Sequence, residues 1–299
     1  MKKIYIAGCG GMLGEAFYEQ YRTDYLLKCT DIDVNEEWLN FLDFRDYDAY
    51  KKDVVDFMPD YLFHLGAYTD LEYCEMNPED TYMTNTISVE NAVYIANELN
   101  IPILYISTAG IFDGKKDLYD DWDIPNPGGV YARSKYQGER FVIENAKKYL
   151  ICRAGWMMGG GIKKDKKFIN KIIAQLKSVS KKLNIVDDKL GTPTYTHDFA
   201  KNTKTLLEKE LWGLYNMVCG GVTSRLEVAT EIIKILNLEK DVIITKVSSE
   251  YFQKEYFAAR PDSERLINKK LGLRNIDIMP NWKTSLKNYL ENYFSDYLS

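Results

Sequence analysis

The first fourteen residues constrain the fold more than any other stretch. Ile4 to Ala7 is an apolar run that passes directly into Gly8-Cys9-Gly10-Gly11-Met12-Leu13-Gly14, and an amphipathic segment follows. Gly8, Gly11 and Gly14 have G-x-x-G-x-x-G spacing. In a strand-to-helix turn the first glycine permits the turn, the second lets another group approach the backbone, and the third lets the helix lie against the strand. The same alternation continues downstream. Residues 3–7, 25–30, 61–66, 103–107 and 150–153 read as strands. Residues 11–21, 47–57, 79–99 and 130–147 carry apolar side chains at helical spacing. Strands alternating with helices need right-handed crossovers. The expected fold class is therefore α/β, a Rossmann-type doubly wound parallel sheet with a smaller C-terminal α/β lobe.

The character changes after Arg153. Gly159-Gly160-Gly161 and Lys163-Lys164-Asp165-Lys166-Lys167 read as a loop, residues 168–178 as a helix, and Gly191-Thr192-Pro193 as a break before a helix at 198–208. Residues 213–218 are a candidate late strand returning to the sheet. No repeat or low-complexity linker separates the halves, so the second is expected to pack on the first. The division expected is residues 1–152 for a dinucleotide domain and 153–299 for a substrate lobe.

Composition narrows the partners. Net charge is −5, with acids and bases spread along 299 residues, which argues against nucleic acid or an anionic membrane. No apolar run approaches the length of a membrane span, and Met1-Lys2-Lys3 runs straight into a strand pattern without a signal-peptide core. A cytoplasmic protein is expected. Five cysteines form no C-x-x-C pair, and His64 and His197 are the only histidines, so no metal is expected and the thiols read as reduced and buried. His64, on an apolar strand, reads as a satisfied buried histidine. His197 reads as structural, at a helix start.

Two motifs carry chemistry. A glycine loop entering a helix exposes backbone N–H groups at the positive end of the helix dipole, which suits a pyrophosphate. Gly8, Gly11, Met12, Leu13 and Gly14 are the candidates. Asp31 follows the second strand, 17 residues after Gly14. A carboxylate there can accept hydrogen bonds from adenine-ribose hydroxyls and repel a 2′-phosphate, favouring NAD over NADP; alternatively it caps the strand. Asp43-Phe44 is placed at the adenine edge, and Gly66-Ala67 ends a strand where the cofactor passes closely. The second motif is Tyr131 and Lys135, four residues apart and so on one helix face. The amine is expected to lower the phenol pKa and make it a usable acid or base. Thr108, ending a strand, could hold the oxygen that Tyr131 protonates.

These residues resemble the extended short-chain dehydrogenase/reductases, and within them the 4-dehydrorhamnose reductase branch. The resemblance runs through Gly8 to Gly14, His64-Leu65-Gly66-Ala67-Tyr68-Thr69-Asp70 with Cys74-Glu75, Asn85, Ser107-Thr108 to Asp113-Gly114, Tyr131 and Lys135. It continues through Arg153-Ala154-Gly155-Trp156, Gly191-Thr192-Pro193-Thr194 and Arg260-Pro261 with Ser263 and Leu266. It implies NAD or NADP as cofactor and reduction of a nucleotide-linked 4-keto-6-deoxy sugar. Thr108, Tyr131 and Lys135 would be catalytic, and Thr69, Ala109, Trp156 and Arg260 would contact substrate; an ordinary packing role for Trp156 stays open. One departure stands out. After the threonine the family has Asp-Tyr, and here Ala109-Gly110 stand instead, which implies a roomier, less polar pocket. Two further readings remain: a sugar-nucleotide 4-epimerase using the same tyrosine and lysine, and a cofactor-binding regulatory subunit of the kind that serves methionine adenosyltransferase. The Lys163–Lys167 run is either a solvated loop, as charge runs usually are, or a clamp on the substrate diphosphate. A homodimer is left open.

Overall fold

A computed structural model describes residues 1–177 and 182–295. Ser178, the last residue of the helix expected at 168–178, and residues 296–299 of the expected lobe lie outside them.

The chain first lays down six parallel strands: β1 (Lys3–Ala7), β2 (Leu26–Asp31), β3 (Leu39–Phe41), β4 (Tyr61–His64), β5 (Ile103–Thr108) and β6 (Tyr149–Ala154). Short strands β7 (Trp156–Met158), β8 (Lys182–Val186), β9 (Leu190–Gly191) and β10 (Pro193–Tyr195) lie outside this sheet, and β11 (Gly213–Asn216) returns to it beside β6. The sheet order is β11-β6-β5-β4-β1-β2-β3. Connections run one way from β1 to β2 and the other way to β4, so a crevice opens at the carboxyl end of β1, where α/β folds bind ligands. β12 (Thr223–Ser224), β13 (Ile243–Val247) and β14 (Ser263–Glu264) complete small sheets in the C-terminal half, ordered β12-β9-β14 and β13-β8.

Side chains alternate across β1. Ile4 and Ile6 enter one core layer and Tyr5 and Ala7 the other, as the two-residue period of a strand requires. The first layer holds α1 (Met12–Tyr21), whose Phe17 meets Phe63 edge-on at 5.9 Å. Such a pair contributes roughly 0.5–1.5 kcal/mol beyond its buried area. The second layer holds α2 (Tyr47–Phe57). The first layer continues into the C-terminal half through Phe199, Trp282 and Leu290. The strand returning at β11 and this shared layer join residues beyond 153 to the first half.

After a short α3 (Leu71–Met76), the helix expected at 79–99 forms as an unbroken helical run from Pro78 to Glu98, in which α4 (Pro78–Tyr82) passes through a π-helical turn at Met83–Ile87 into α5 (Ser88–Glu98). Thr84, Asn85 and Thr86 in that turn are polar yet buried. Asn85 explains it: its Oδ1 accepts the Tyr68 N–H at 2.8 Å, and its Nδ2 donates to Tyr68 O at 3.0 Å and Ser134 Oγ at 3.1 Å. The wider turn aims Asn85 at the loop after β4, as π-turns at functional sites often do. Further helices are α6 (Val130–Asn145), α7 (Gly161–Lys164), α8 (Phe168–Leu176), α9 (Thr196–Glu208), α10 (Arg225–Ile235), α11 (Lys269–Leu273) and α12 (Trp282–Tyr293). Among the described residues no helix is long and apolar enough to cross a membrane.

Candidate active site

A cleft of about 1290 Å3 opens over the carboxyl ends of β1, β2, β4 and β5 and extends between the two halves. The glycine loop forms its floor. Gly8 has φ +76°, and a Cβ there would fall 2.2 Å from Gly66 Cα, so the ends of β1 and β4 touch backbone to backbone. A Cβ on Gly14 would fall 1.8 Å from Cys9 O. Gly14 therefore seats α1 on the strand end and does not line the cleft. Gly11 is the N-cap of α1 with no side-chain cap, and a Cβ on it would meet nothing within 4 Å. The positive amino end of α1 thus faces open cleft beside Met12 and Leu13, which fits a diphosphate.

Asp31 is fixed from both sides. Its Oδ2 accepts the Gly10 N–H at 2.8 Å and its Oδ1 the Asp33 N–H at 2.9 Å. Asp43 lines the cleft too, gripped by Arg45, whose Nη2 donates to Oδ2 at 2.6 Å. These bonds hold the Asp43 carboxyl below its ordinary range. Arg45 was not picked out from sequence. It lines the cleft but is tied to Asp43 and, at 3.2 Å, to Asp80. Phe44 covers Gly66, where a Cβ would fall 2.2 Å from its ring, and Ala67 follows on the cleft wall.

Thr108, Tyr131 and Lys135 converge at the next strand end. Thr108 closes β5, and its Oγ1 accepts the Gly110 N–H at 3.1 Å. Tyr131 lies in the first turn of α6, whose amino end is held by Glu75 Oε2 accepting the Val130 N–H at 3.0 Å. Burial pushes the Tyr131 phenol up to about 12, and the Thr108 hydroxyl beside it opposes that rise. Lys135 lies one turn on, buried, with its ammonium 4.2 Å from the Tyr105 ring centre. Burial draws its pKa down to about 7, against the pull of Glu139. The expected lowering of the phenol pKa by the amine is therefore corrected: desolvation dominates, and the phenol keeps its proton at neutral pH. Ala109 points into a small core with Ile111 and Phe112, and its neighbour Gly110 lines the cleft instead.

The C-terminal half supplies the opposite wall. Trp156 lines the cleft, donates its Nε1–H to Glu264 Oε2 at 2.6 Å, and lies under the Arg225 guanidinium, 3.7 Å from the ring centre. Burial lowers the Arg225 pKa to about 10. Arg260 grips Glu72 on α3 through two bonds of 2.7 and 2.8 Å, tying the halves together. Glu264 and Arg225 escaped sequence reasoning, because their roles rest on partners remote in the chain.

The lysine run is neither solvated throughout nor free. Lys163 Nζ donates to Asn35 O at 2.8 Å and to Glu36 Oε1 at 2.7 Å, and Lys164 Nζ lies 3.1 Å from the same Glu36 oxygen. At its other end Lys167 Nζ donates to Thr69 O at 2.8 Å and Thr69 Oγ1 at 3.0 Å. A Cβ on Gly160 would lie 3.4 Å from Met12 Cα. The segment therefore straps across the glycine loop, from the loop after β2 to the loop after β4. Elsewhere, His64 is buried between Tyr50 and Ser88, and burial holds its pKa at about 3. His197 Nε2 lies 2.8 Å from Tyr293 Oη. All five cysteines are free and buried. Among the described residues no group of three or more His, Cys, Asp or Glu is placed to hold a metal.

A Rossmann sheet whose switch-point crevice gathers a threonine, tyrosine and lysine defines an extended short-chain dehydrogenase/reductase. Comparison with known proteins sharpens the class. The RmlD substrate binding domain model matches residues 1–295, and the chain belongs to that family of sugar-nucleotide reductases. It is 26% identical over 293 residues to the spore coat polysaccharide biosynthesis protein SpsK of Bacillus subtilis, covering 97% of this chain and 98% of that one. It is 29% identical over 268 residues to dTDP-4-dehydrorhamnose reductase of Salmonella typhimurium, covering 85% and 86%. The crystal structure of dTDP-4-dehydrorhamnose reductase from Bacillus anthracis in complex with NADP superposes with TM-score 0.88 at 28% identity, covering 98% and 100%. The methionine adenosyltransferase 2 subunit beta of Xenopus laevis is 25% identical over 246 residues, covering 79% and 73%.

Proposed function

We propose that the chain reduces a nucleotide-linked 4-keto-6-deoxy sugar with NADH or NADPH. The observation that carries this reading is the convergence of Thr108, Tyr131 and Lys135 beside the uncapped amino end of α1, in one cleft. The N–H groups at the start of α1 would hold the cofactor diphosphate, Asp31 its adenosine ribose, and Lys135 its nicotinamide ribose. The bound nicotinamide supplies the hydride that reaches sugar C4. Thr108 Oγ1 orients the C4 oxygen. Tyr131 donates its proton to that oxygen, a role suited to a phenol kept protonated by burial. The carboxylate of Asp31, rigidly held, favours NAD, since a 2′-phosphate would meet a like charge there.

The test is a coenzyme assay. Protein is mixed with NADH or NADPH and a panel of 4-keto-6-deoxy nucleotide sugars, and reduced-coenzyme absorbance is followed. The reductase consumes coenzyme in proportion to sugar, and Tyr131→Phe loses turnover while still binding coenzyme. A fully active Tyr131→Phe rejects the proton-donor assignment. A second reading, the 4-epimerase, draws on the space left by Gly110, which gives a sugar room to turn over; it predicts isomerisation without net coenzyme oxidation. The likeness to an adenosyltransferase subunit keeps a regulatory role as the outcome if no sugar turns over.

A further inference from the structure

Glu264 takes no part in the steps above, yet it stands at the reacting end of the cleft. It lies on β14, which pairs with β9, so its backbone is held by the small C-terminal sheet. The Oε2 atom is committed to the Trp156 indole N–H at 2.6 Å. The Oε1 atom points the other way. A Cβ placed on Gly110 would lie 3.3 Å from Oε1, 3.5 Å from Thr108 Oγ1 and 3.8 Å from Tyr131 Cε1. One carboxylate oxygen, the threonine hydroxyl and the phenol ring thus surround the point where a residue-110 side chain would begin. Any such side chain would press on Oε1, so the bare glycine at 110 and the acid at 264 form one arrangement.

Among the described residues no hydrogen-bond donor reaches Oε1. Arg225, the nearby cation, stacks on Trp156 at 3.7 Å and Phe168 at 4.7 Å; it feels the Glu264 charge but makes no direct ion pair with it, so it leaves Oε1 without a donor. An ionised carboxylate is acceptor-only, and a free acceptor in a site wall selects for a donor on the ligand. Oε1 and Thr108 Oγ1 lie no further apart than the 3.3 and 3.5 Å taken together, a span that oxygens on neighbouring ring carbons can bridge with two O–H···O bonds of about 2.7 Å. In a 4-keto pyranose the neighbour bearing a hydroxyl is C3, because C5 carries the ring oxygen.

We propose that Glu264 is the specificity-determining residue of this site, and that its Oε1 accepts a hydrogen bond from the C3 hydroxyl of the sugar being reduced. The substrate class is then a nucleotide-linked 4-keto-6-deoxy sugar with a free 3-hydroxyl, and 3-deoxy sugars are poor ligands. This rests on the reductase reading. The experiment is calorimetric titration of the coenzyme-saturated protein with dTDP-rhamnose, its 3-deoxy counterpart and dTDP. The wild type should bind the 3-hydroxy sugar about 10- to 100-fold more tightly than the 3-deoxy sugar, as a hydrogen bond to a charged group implies. Glu264→Gln keeps the side-chain shape and an acceptor for Trp156. It should lose about tenfold for the 3-hydroxy sugar and change little for the 3-deoxy sugar and dTDP. Glu264→Ala should erase the preference. A variant that weakens all three ligands equally, or a preference identical in wild type and variants, overturns the assignment. A wild type that binds the sugars no better than dTDP overturns the proposed function with it.

Discussion

Replacing Glu139 by glutamine should uncover how the site is held up from behind. Glu139 lies on α6 one turn beyond Lys135 and faces Arg153 on β6. Arg153 Nε donates to Oε2 at 3.0 Å and Nη2 to Oε1 at 2.6 Å, and the two side chains are 4% and 1% exposed. Two unit charges about 4 Å apart attract by roughly 4 kcal/mol at an effective dielectric of about 20. Removing one partner of such a pair leaves the other charge buried and costs about 3–5 kcal/mol. Glutamine keeps the shape but not the charge, so urea unfolding followed by tryptophan fluorescence should report a loss of that size. The double variant Glu139→Leu with Arg153→Met, which buries no charge, should be more stable than Glu139→Gln. A second readout lies at the site: Glu139 raises the Lys135 pKa against burial, so the variant should shift any pH dependence set by Lys135 to lower pH. A stability loss below about 1 kcal/mol, the value of an exposed pair, would refute the reasoning.

Three other outcomes are expected. Gly14→Ala puts a Cβ 1.8 Å from Cys9 O, backbone that cannot yield cheaply; calorimetry should show a loss of roughly 1–3 kcal/mol, whereas Gly11→Ala, with open space around it, should unfold nearly as the wild type. Coenzyme affinity should fall as pH rises through about 7, where the Lys135 ammonium loses its charge; fluorescence titrations at pH 6 and pH 8.5 check this, and equal affinities would be the contrary result. His64 has a folded pKa of about 3 against an ordinary 6.5, so the unfolded chain takes up the proton first. Its contribution is complete above pH 6.5 and is lost toward pH 3 by about 1.4 kcal/mol per pH unit, so the urea midpoints of wild type and His64→Gln should run parallel with pH above that range and diverge within it.

What could be read in advance was local. The strand at Lys3–Ala7, the glycine loop and the helix behind it follow from periodicity and from side-chain size, and the return of β11 followed from an apolar run after a break. The strand β3 escaped because it has three residues, of which only Leu39 is buried. The π-turn within the 79–99 helix escaped because apolar spacing is blind to what Asn85 must reach. The phenol was misjudged for a similar reason: sequence shows that an amine lies four residues away, but not how far both groups are withdrawn from water. Trp156 and Glu264 are 108 residues apart, and no pattern within either segment announces the other. The lysine run had the same composition whether it faced water or reached Glu36 and Thr69.

That last contact has a kinetic meaning. A dinucleotide lying along the glycine loop would pass beneath residues 160–167, so the arch must lift for coenzyme to exchange. Its fastening at the adenosine side combines an exposed ion pair, Lys163 on Glu36, with the buried Lys164 on the same carboxylate; the exposed pair is weak and screened by salt. The arch is thus a latch with one salt-sensitive catch on a doorway otherwise built from rigid strand ends. Stopped-flow release of reduced coenzyme should quicken with ionic strength, and a rate indifferent to salt would mean that the door opens elsewhere.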